Sequence, residues 1–150
     1  MSFLLTEEQR LLRDSMRQMV EREIQPVLAA HDGEAPLPQE ALRECLRACA
    51  RQGLTSGRVP EAGGGSGMRM VDLGLCYEQL PGALVFGFLS QEVTVARVFS
   101  ESSAEIKERY LRSMIDVDVI TCTATTEPGA GSDPRSVKTR AIKTDEGWRV

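Results

Sequence analysis

Apolar residues recur along the first two thirds of the chain with helical spacing. Leu11, Leu12, Met16, Met19, Val20 and Ile24 fall on one stripe of a 3.6-residue repeat. Thr6 to Gln9 precede that stripe as a capping box, with Gln9 placed to reach back to Thr6. Pro26 predicts an end or a kink. Leu42, Cys45, Leu46 and Cys49 form a second stripe, with Pro38 suited to its first turn and Gly53 closing it. Met70 to Leu80 predicts a third helix, with Leu73, Cys76, Tyr77 and Leu80 on one side and Pro81-Gly82 as its breaker. Ala83 to Phe99 is apolar nearly all round in its first half. That predicts a central buried helix, while its β-branched residues leave a strand open. Ser102 to Glu105 is a second capping box, opening a helix that carries Ile106, Tyr110, Leu111, Met114 and Ile115.

The period then changes. From Val119 to Thr126 it shortens to two residues, so Thr121, Thr123 and Thr125 face one way and Ile120, Cys122, Ala124 and Thr126 the other. Threonine-rich alternation predicts a strand. Val137 to Thr144 predicts a second, Asp145-Glu146-Gly147 a turn, and Trp148-Arg149-Val150 the start of a third. Helices first and strands afterwards give an α+β chain. An N-terminal all-α helical domain occupies 1–117, and the first strands of a β-barrel-like domain occupy 118–150. Two strands and a stub bury too little surface to stand alone. The chain is therefore expected to be one portion of a larger protein, or to be completed by another chain.

Composition narrows the partners. The net charge of −4 and the absence of a basic stripe argue against nucleic acid. An anionic cofactor can still be held by backbone N–H groups and helix ends. MSFLLTEEQR has neither the basic start nor the long apolar run of a signal peptide. Ala83 to Leu89 is too short and glycine-broken to span a bilayer, so no membrane association is expected. Cys45, Cys49, Cys76 and Cys122, without a secretory signal, read as reduced thiols of a cytoplasmic protein. Cys45 and Cys49 share a helix face. They lack a second ligand pair, and His31 is far off, so buried structural thiols are expected rather than a metal. Val59 to Gly67 contains the Gly63 and Gly65 of a dinucleotide fingerprint. Met68 stands where its third glycine belongs and a helix precedes it, which leaves a tight loop.

The stretch TEPGAGSD, Thr126 to Asp133, is where chemistry enters. Pro128 and Gly129 set a turn, and Gly131 permits a ligand close to the backbone. Successive N–H groups from Gly129 to Asp133 can converge into an anion-binding concavity, and Thr126 and Ser132 add hydroxyls. Taken alone, the same residues make an ordinary hairpin loop in which Ser132 and Asp133 satisfy local backbone groups.

TEPGAGSD after a short apolar-threonine segment resembles the signature of the acyl-CoA dehydrogenase family. The resemblance covers the whole chain in order. Leu5 to Gln9 is similar to the family's opening helix. Gly53-Leu54 with Val59-Pro60-Glu61 and Gly63-Gly64 is similar to its early loop. Ile106 to Leu111 is similar to its "QKxxYL" helix, and Lys138 to Ala141 to the strand after the signature. Phe99-Ser100-Glu101 and Leu111-Arg112-Ser113 depart from the family's usual flanks, which leaves subfamily and substrate open.

The resemblance implies oxidation of an acyl-CoA or acyl-carrier thioester to its trans-2-enoyl form, by α-proton abstraction and β-hydride transfer to FAD. It implies that Thr123, Thr125 and Thr126 lie along the flavin pyrimidine edge. Gly131 and Ser132 approach the diphosphate, with Ser132 also touching the acyl-CoA. Glu127 belongs to the turn and is not the base. No catalytic residue is assigned within the chain, because the family's glutamate base lies in a later domain. Tyr77, Phe86, Phe88 and Leu89 are candidates for an acyl tunnel or for core. A homodimer or homotetramer, a role in fatty acid metabolism, and an electron-transfer flavoprotein as acceptor are further implications. The alternative is a non-catalytic subunit or interaction module that completes a site with a partner chain.

Overall fold

The computed structural model describes residues 4–150. Met1 to Phe3, the start of the stretch read for a signal peptide, lie outside the described residues. The chain opens with α1, Glu7–Met19. Thr6 accepts from the Gln9 N–H at 3.2 Å, and the Gln9 side chain accepts from the Thr6 N–H at 3.1 Å, which is the capping box expected from the sequence. A π-helical turn, Val20–Ile24, joins α1 to α2, Gln25–Ala29. Pro26 does not end the helical run. It falls in the first turn of α2, where a missing N–H costs least, and the wide turn before it absorbs the mismatch.

Helix α3, Gln39–Arg51, starts one residue after Pro38, which serves as its N-cap and not as its first turn. Gly53 follows in the left-handed region, φ 73°, as a C′ glycine should. The glycine-rich stretch is the tight loop expected. A Cβ on Gly65 would sit 2.2 Å from the Val59 carbonyl oxygen, so only glycine lets the loop fold back this closely. Helix α4, Met70–Tyr77, and helix α5, Gly82–Glu101, complete the main bundle. The next helix is capped by Ser103, whose hydroxyl accepts from the Ile106 N–H; Ser102 instead ends α5. The expected capping box is therefore not formed. With Ser103 as N-cap, Ile106 stands at N3 and has no side-chain acceptor to return the bond, so only the single cap bond remains. Helix α6, Ala104–Ile106, runs through a π-helical turn, Lys107–Leu111, into α7, Arg112–Ile115.

One core joins the stripes read from the sequence. Met16, Ile24, Cys45, Leu46, Cys49, Leu54, Leu73, Cys76, Leu84 and Phe88 are fully or almost fully buried. Each large member contributes about 1.5–3 kcal/mol by leaving water. A smaller cluster of Val59, Val95, Met114 and Ile115 closes the far end of α5. The three core thiols are held protonated: burial pushes Cys45 and Cys76 up to about 11 and Cys49 to about 12. Among the described residues no group of His, Cys, Asp and Glu is placed to hold a metal.

Helix α5 is less uniformly buried than its composition suggests. Phe88 is core and stacks at 4.8 Å on Tyr77, yet Phe86 and Leu89 face outward. With a mean hydropathy of 1.3 over an 18-residue window, α5 is long and apolar enough to cross a membrane, contrary to the sequence expectation. In this fold, however, its polar middle is turned inward. Glu92 is buried and receives a bidentate pair from Arg58, Nε at 2.8 Å and Nη2 at 2.7 Å. The buried Tyr77 hydroxyl lies beside this pair, and burial, then the Glu92 charge, push it above the ordinary tyrosine range.

Helix α7 ends abruptly. The Asp118 N–H returns to Ser113 O at 2.8 Å and the Val117 N–H to Met114 O at 3.3 Å, a Schellman motif. Its left-handed position is held by buried Val117, φ 62°, a residue that pays steric strain there. Neighbouring bonds hold that geometry. Arg43 Nη1 donates to Val117 O at 2.7 Å and to Asp118 O at 2.9 Å, Arg47 pairs with Asp118 at 2.9 Å, and Thr55 Oγ1 donates to Ile115 O at 2.7 Å.

Beyond this point the strand expectations are only partly met. No strand forms over Val119 to Thr126, because no neighbouring segment among the described residues offers a ladder. Cys122 to Thr126 are exposed, so the expected two-faced alternation does not persist. The second expected strand shrinks to β1, Ile142–Thr144. It pairs antiparallel with β2, Gly147–Arg149, through a turn at Asp145-Glu146. The architecture is a helical domain followed by a short two-stranded sheet.

Candidate functional site

The TEPGAGSD turn is closed by its own backbone. The Glu127 N–H donates to Ala130 O at 2.8 Å and the Ala130 N–H returns to Glu127 O at 3.1 Å, around Pro128-Gly129. Ala130 is buried and anchors the loop. Glu127 then reaches across to the next segment. Its carboxylate accepts from Lys138 N–H at 2.9 Å, from Thr139 N–H at 2.8 Å and from the Thr139 hydroxyl. These bonds, the Thr139 hydroxyl first, hold its pKa below the usual carboxylate range. A carboxylate so occupied is a structural tie and a poor proton acceptor, in keeping with its exclusion as a base. Asp133 caps the 3-10 turn Pro134–Ser136, accepting from Arg135 N–H at 3.0 Å.

Between those ties the loop turns its polar groups outward. The hydroxyls and N–H groups of Thr123, Thr125, Thr126 and Ser132, and the Gly131 N–H, make no hydrogen bond to any described residue. A Cβ built on Gly131 meets nothing within 4 Å, and its φ is not in the left-handed region. The fold of this chain therefore does not itself require glycine at 131. Open approach over Gly131, with amide and hydroxyl donors on either side, suits a ligand bearing phosphates and ring carbonyls. The residues present thus fit a flavin dinucleotide.

The threonine segment is tied to α5 just before these groups. Gln91 Oε1 accepts from Thr121 N–H at 2.9 Å and from Thr121 Oγ1 at 3.1 Å, and the Ser90 hydroxyl donates to Thr121 O at 3.3 Å. Two residues on, Thr123 borders an open groove of about 290 Å³ whose other walls are Phe86, Leu89, Ser90, Val93 and Arg97. The structure thus separates the four tunnel candidates. Phe86 and Leu89 line the groove, whereas Phe88 and Tyr77 belong to the core.

Sequence reasoning placed the threonines and the turn in one segment but missed Gln91, Ser90, Val93 and Arg97. Gln91 had left a signal: with Ser90 and Glu92 it ends the apolar first half of that helix with adjacent polar residues. A second cavity, of about 470 Å³, lies over α3 between His31 and Arg51. Its arginines are committed elsewhere: Arg43 and Arg47 to the end of α7, and Arg51 to Glu23.

Residues 6–118 match the family described as Acyl-CoA dehydrogenase, N-terminal domain. A cyclohex-1-ene-1-carbonyl-CoA dehydrogenase of Geobacter metallireducens is 35% identical over 97% of this chain and 38% of its own length. The crystal structure of glutaryl-CoA dehydrogenase from Mycobacterium smegmatis superposes with a TM-score of 0.79 at 30% identity, covering 97% of this chain and 38% of that one. The FAD complex of PigA superposes with a TM-score of 0.81 at 25% identity, over 99% of this chain and 39% of that one. The chain therefore spans under two fifths of the length of each relative.

Proposed function

The chain belongs to the acyl-CoA dehydrogenase family, and from that premise we propose that it supplies the helical domain and the flavin-facing segment of an FAD-dependent acyl-CoA dehydrogenase. The reaction is oxidation of an acyl thioester, on CoA or a carrier, to the trans-2-enoyl thioester. FAD, when bound, accepts the β-hydride. Thr123, Thr125 and Thr126 hold the pyrimidine edge. Gly131 and Ser132 take the diphosphate, with Ser132 also meeting the acyl-CoA. The domain boundary falls between 117 and 118, where the Schellman turn redirects the chain.

One observation carries this proposal: Thr123 is at once a wall of the Phe86–Leu89 groove and a member of the threonine segment. An acyl chain in that groove and a flavin on that segment would meet at one residue, as hydride transfer requires. The groove's apolar walls suit an acyl chain, and the exposed N–H and hydroxyl donors suit the cofactor. Neither well-bonded glutamate of this region suits the base. Glu127 is occupied by Lys138 and Thr139, and Glu92 is buried against Arg58. Following the family resemblance, in which the glutamate base lies in a later domain, the base is assigned to a carboxylate outside this chain, and this chain alone is proposed to be inactive. A cytoplasmic homodimer or homotetramer, with an electron-transfer flavoprotein as acceptor and a place in fatty acid metabolism, completes the proposal.

The test is made on the complete native protein. It should purify with flavin, and an acyl-CoA added without oxygen should bleach that flavin while an enoyl-CoA accumulates, followed by mass spectrometry. Flavin without bleaching would move the proposal to a non-catalytic subunit of the same fold. A protein that neither carries nor binds FAD would sink the cofactor assignment itself.

A further inference from the structure

Gln91 is fully buried at the middle of α5, and every polar site on its amide is used. Nε2 donates to Met114 O at 2.6 Å and to Val119 O at 3.0 Å. Oε1 accepts from Thr121 N–H at 2.9 Å and from Thr121 Oγ1 at 3.1 Å. One amide thus grips the end of α7, the first residue past its Schellman turn, and the segment that leads to Thr123. The adjacent Ser90 adds a tie to the same residue: its hydroxyl donates to Thr121 O at 3.3 Å, while its carbonyl, 3.5 Å from Thr121 Oγ1, is only the longer alternative acceptor for the one hydroxyl proton that Gln91 takes.

Satisfying the end of α7 needs only the donor half of this amide. The acceptor half is spent wholly on Thr121, which lies in a segment without strand pairing. These bonds are therefore what fixes the threonines against α5, and α5 carries the groove walls Phe86, Leu89 and Val93. A buried bond from a rigid helix holds its partner far more tightly than a solvated loop holds itself.

We propose that Gln91 is a positioning residue: through Thr121 it sets the register of the flavin-facing threonines against the acyl groove of α5. This rests on the function proposed above. It predicts a preorganisation effect, in which loosening Thr121 weakens FAD binding beyond any general loss of stability.

The experiment compares four forms of the complete native protein: wild type, Gln91→Leu, Thr121→Val and Leu73→Ala. Leu73 is a buried core residue of α4 that takes no part in the Gln91–Thr121 bonds, and it controls for stability. FAD dissociation constants come from fluorescence titration, thermal midpoints from calorimetry, and backbone order from hydrogen exchange of the 119–126 peptide. Gln91→Leu should weaken FAD binding about tenfold or more and Thr121→Val about threefold, the scale of a few hydrogen bonds. Exchange of the Thr121 amide should accelerate in Gln91→Leu, while Leu73→Ala lowers the midpoint and keeps FAD affinity within about twofold of wild type. If Gln91→Leu does not fold, Thr121→Val against Leu73→Ala decides alone. Equal FAD affinity in wild type, Thr121→Val and any folded Gln91→Leu would overturn the inference and spare the proposed function. So would a loss in Leu73→Ala as large as theirs. A wild-type protein with no affinity for FAD would overturn both.

Discussion

Glu92 and Glu127 are both glutamates with both carboxylate oxygens in use, and they show how differently the two parts of the chain are built. Glu92 is buried in α5, and its partner is one long cation from a loop 34 residues away. Glu127 is half-exposed, and its partners are two backbone N–H groups and a hydroxyl 11 and 12 residues on. The first closes a core whose polar groups are nearly all satisfied from within. The second shapes a surface whose remaining donors face outward, in a part of the chain that also leaves Ile142, Trp148 and Val150 exposed. A helical region that spends its polar groups internally can be stiff. A segment that keeps them outward can bind.

That contrast can be broken most strongly in the core. Phe88→Ala should cost about 3–5 kcal/mol, seen as a fall in the urea midpoint, because Phe88 is fully buried and supports Tyr77. Next comes Glu92→Ala. It leaves Arg58 without its carboxylate and should cost about 2 kcal/mol, less than a wholly buried pair because Arg58 is one third exposed. A replacement of both by well-packed apolar residues should recover most of that loss, and a double-mutant cycle measures the coupling.

Substitution in the outward region should behave oppositely. Gly131→Leu should change stability by no more than about 0.5 kcal/mol, since a side chain there meets nothing in this chain. It should nevertheless abolish flavin retention in the complete protein, and normal flavin stoichiometry would count against the site. The Glu127 tie adds a pH test. Its folded pKa is lowered, so its contribution is present above the ordinary carboxylate pKa and is lost as pH falls through the folded value. Exchange at Lys138 and Thr139, corrected for intrinsic rate, should therefore accelerate in acid while the helical core keeps its protection. The smallest perturbation is chemical. A thiol reagent at neutral pH should label exposed Cys122 and leave Cys45, Cys49 and Cys76 untouched until denaturant is added.

The sequence by itself determined the helices, most of their ends and the core. A helix buries one stripe at a fixed repeat and is capped by neighbours in sequence, so Met16, Leu46, Cys76 and the Thr6–Gln9 box are local facts. It also determined the turn around Pro128-Gly129, a two-residue closure. Only the tertiary structure decided that Val119 to Thr126 does not pair, because a strand needs a neighbour supplied from elsewhere. Tertiary packing also chose Phe88 for the core and Phe86 for the groove, two residues apart on one apolar helix. Likewise, Gln91 met Thr121 across 30 residues only because α7 ends on a strained Val117 that turns the chain back onto α5. Periodicity records which face of an element is buried; it carries no record of what stands opposite that face, and the candidate site is made of such oppositions.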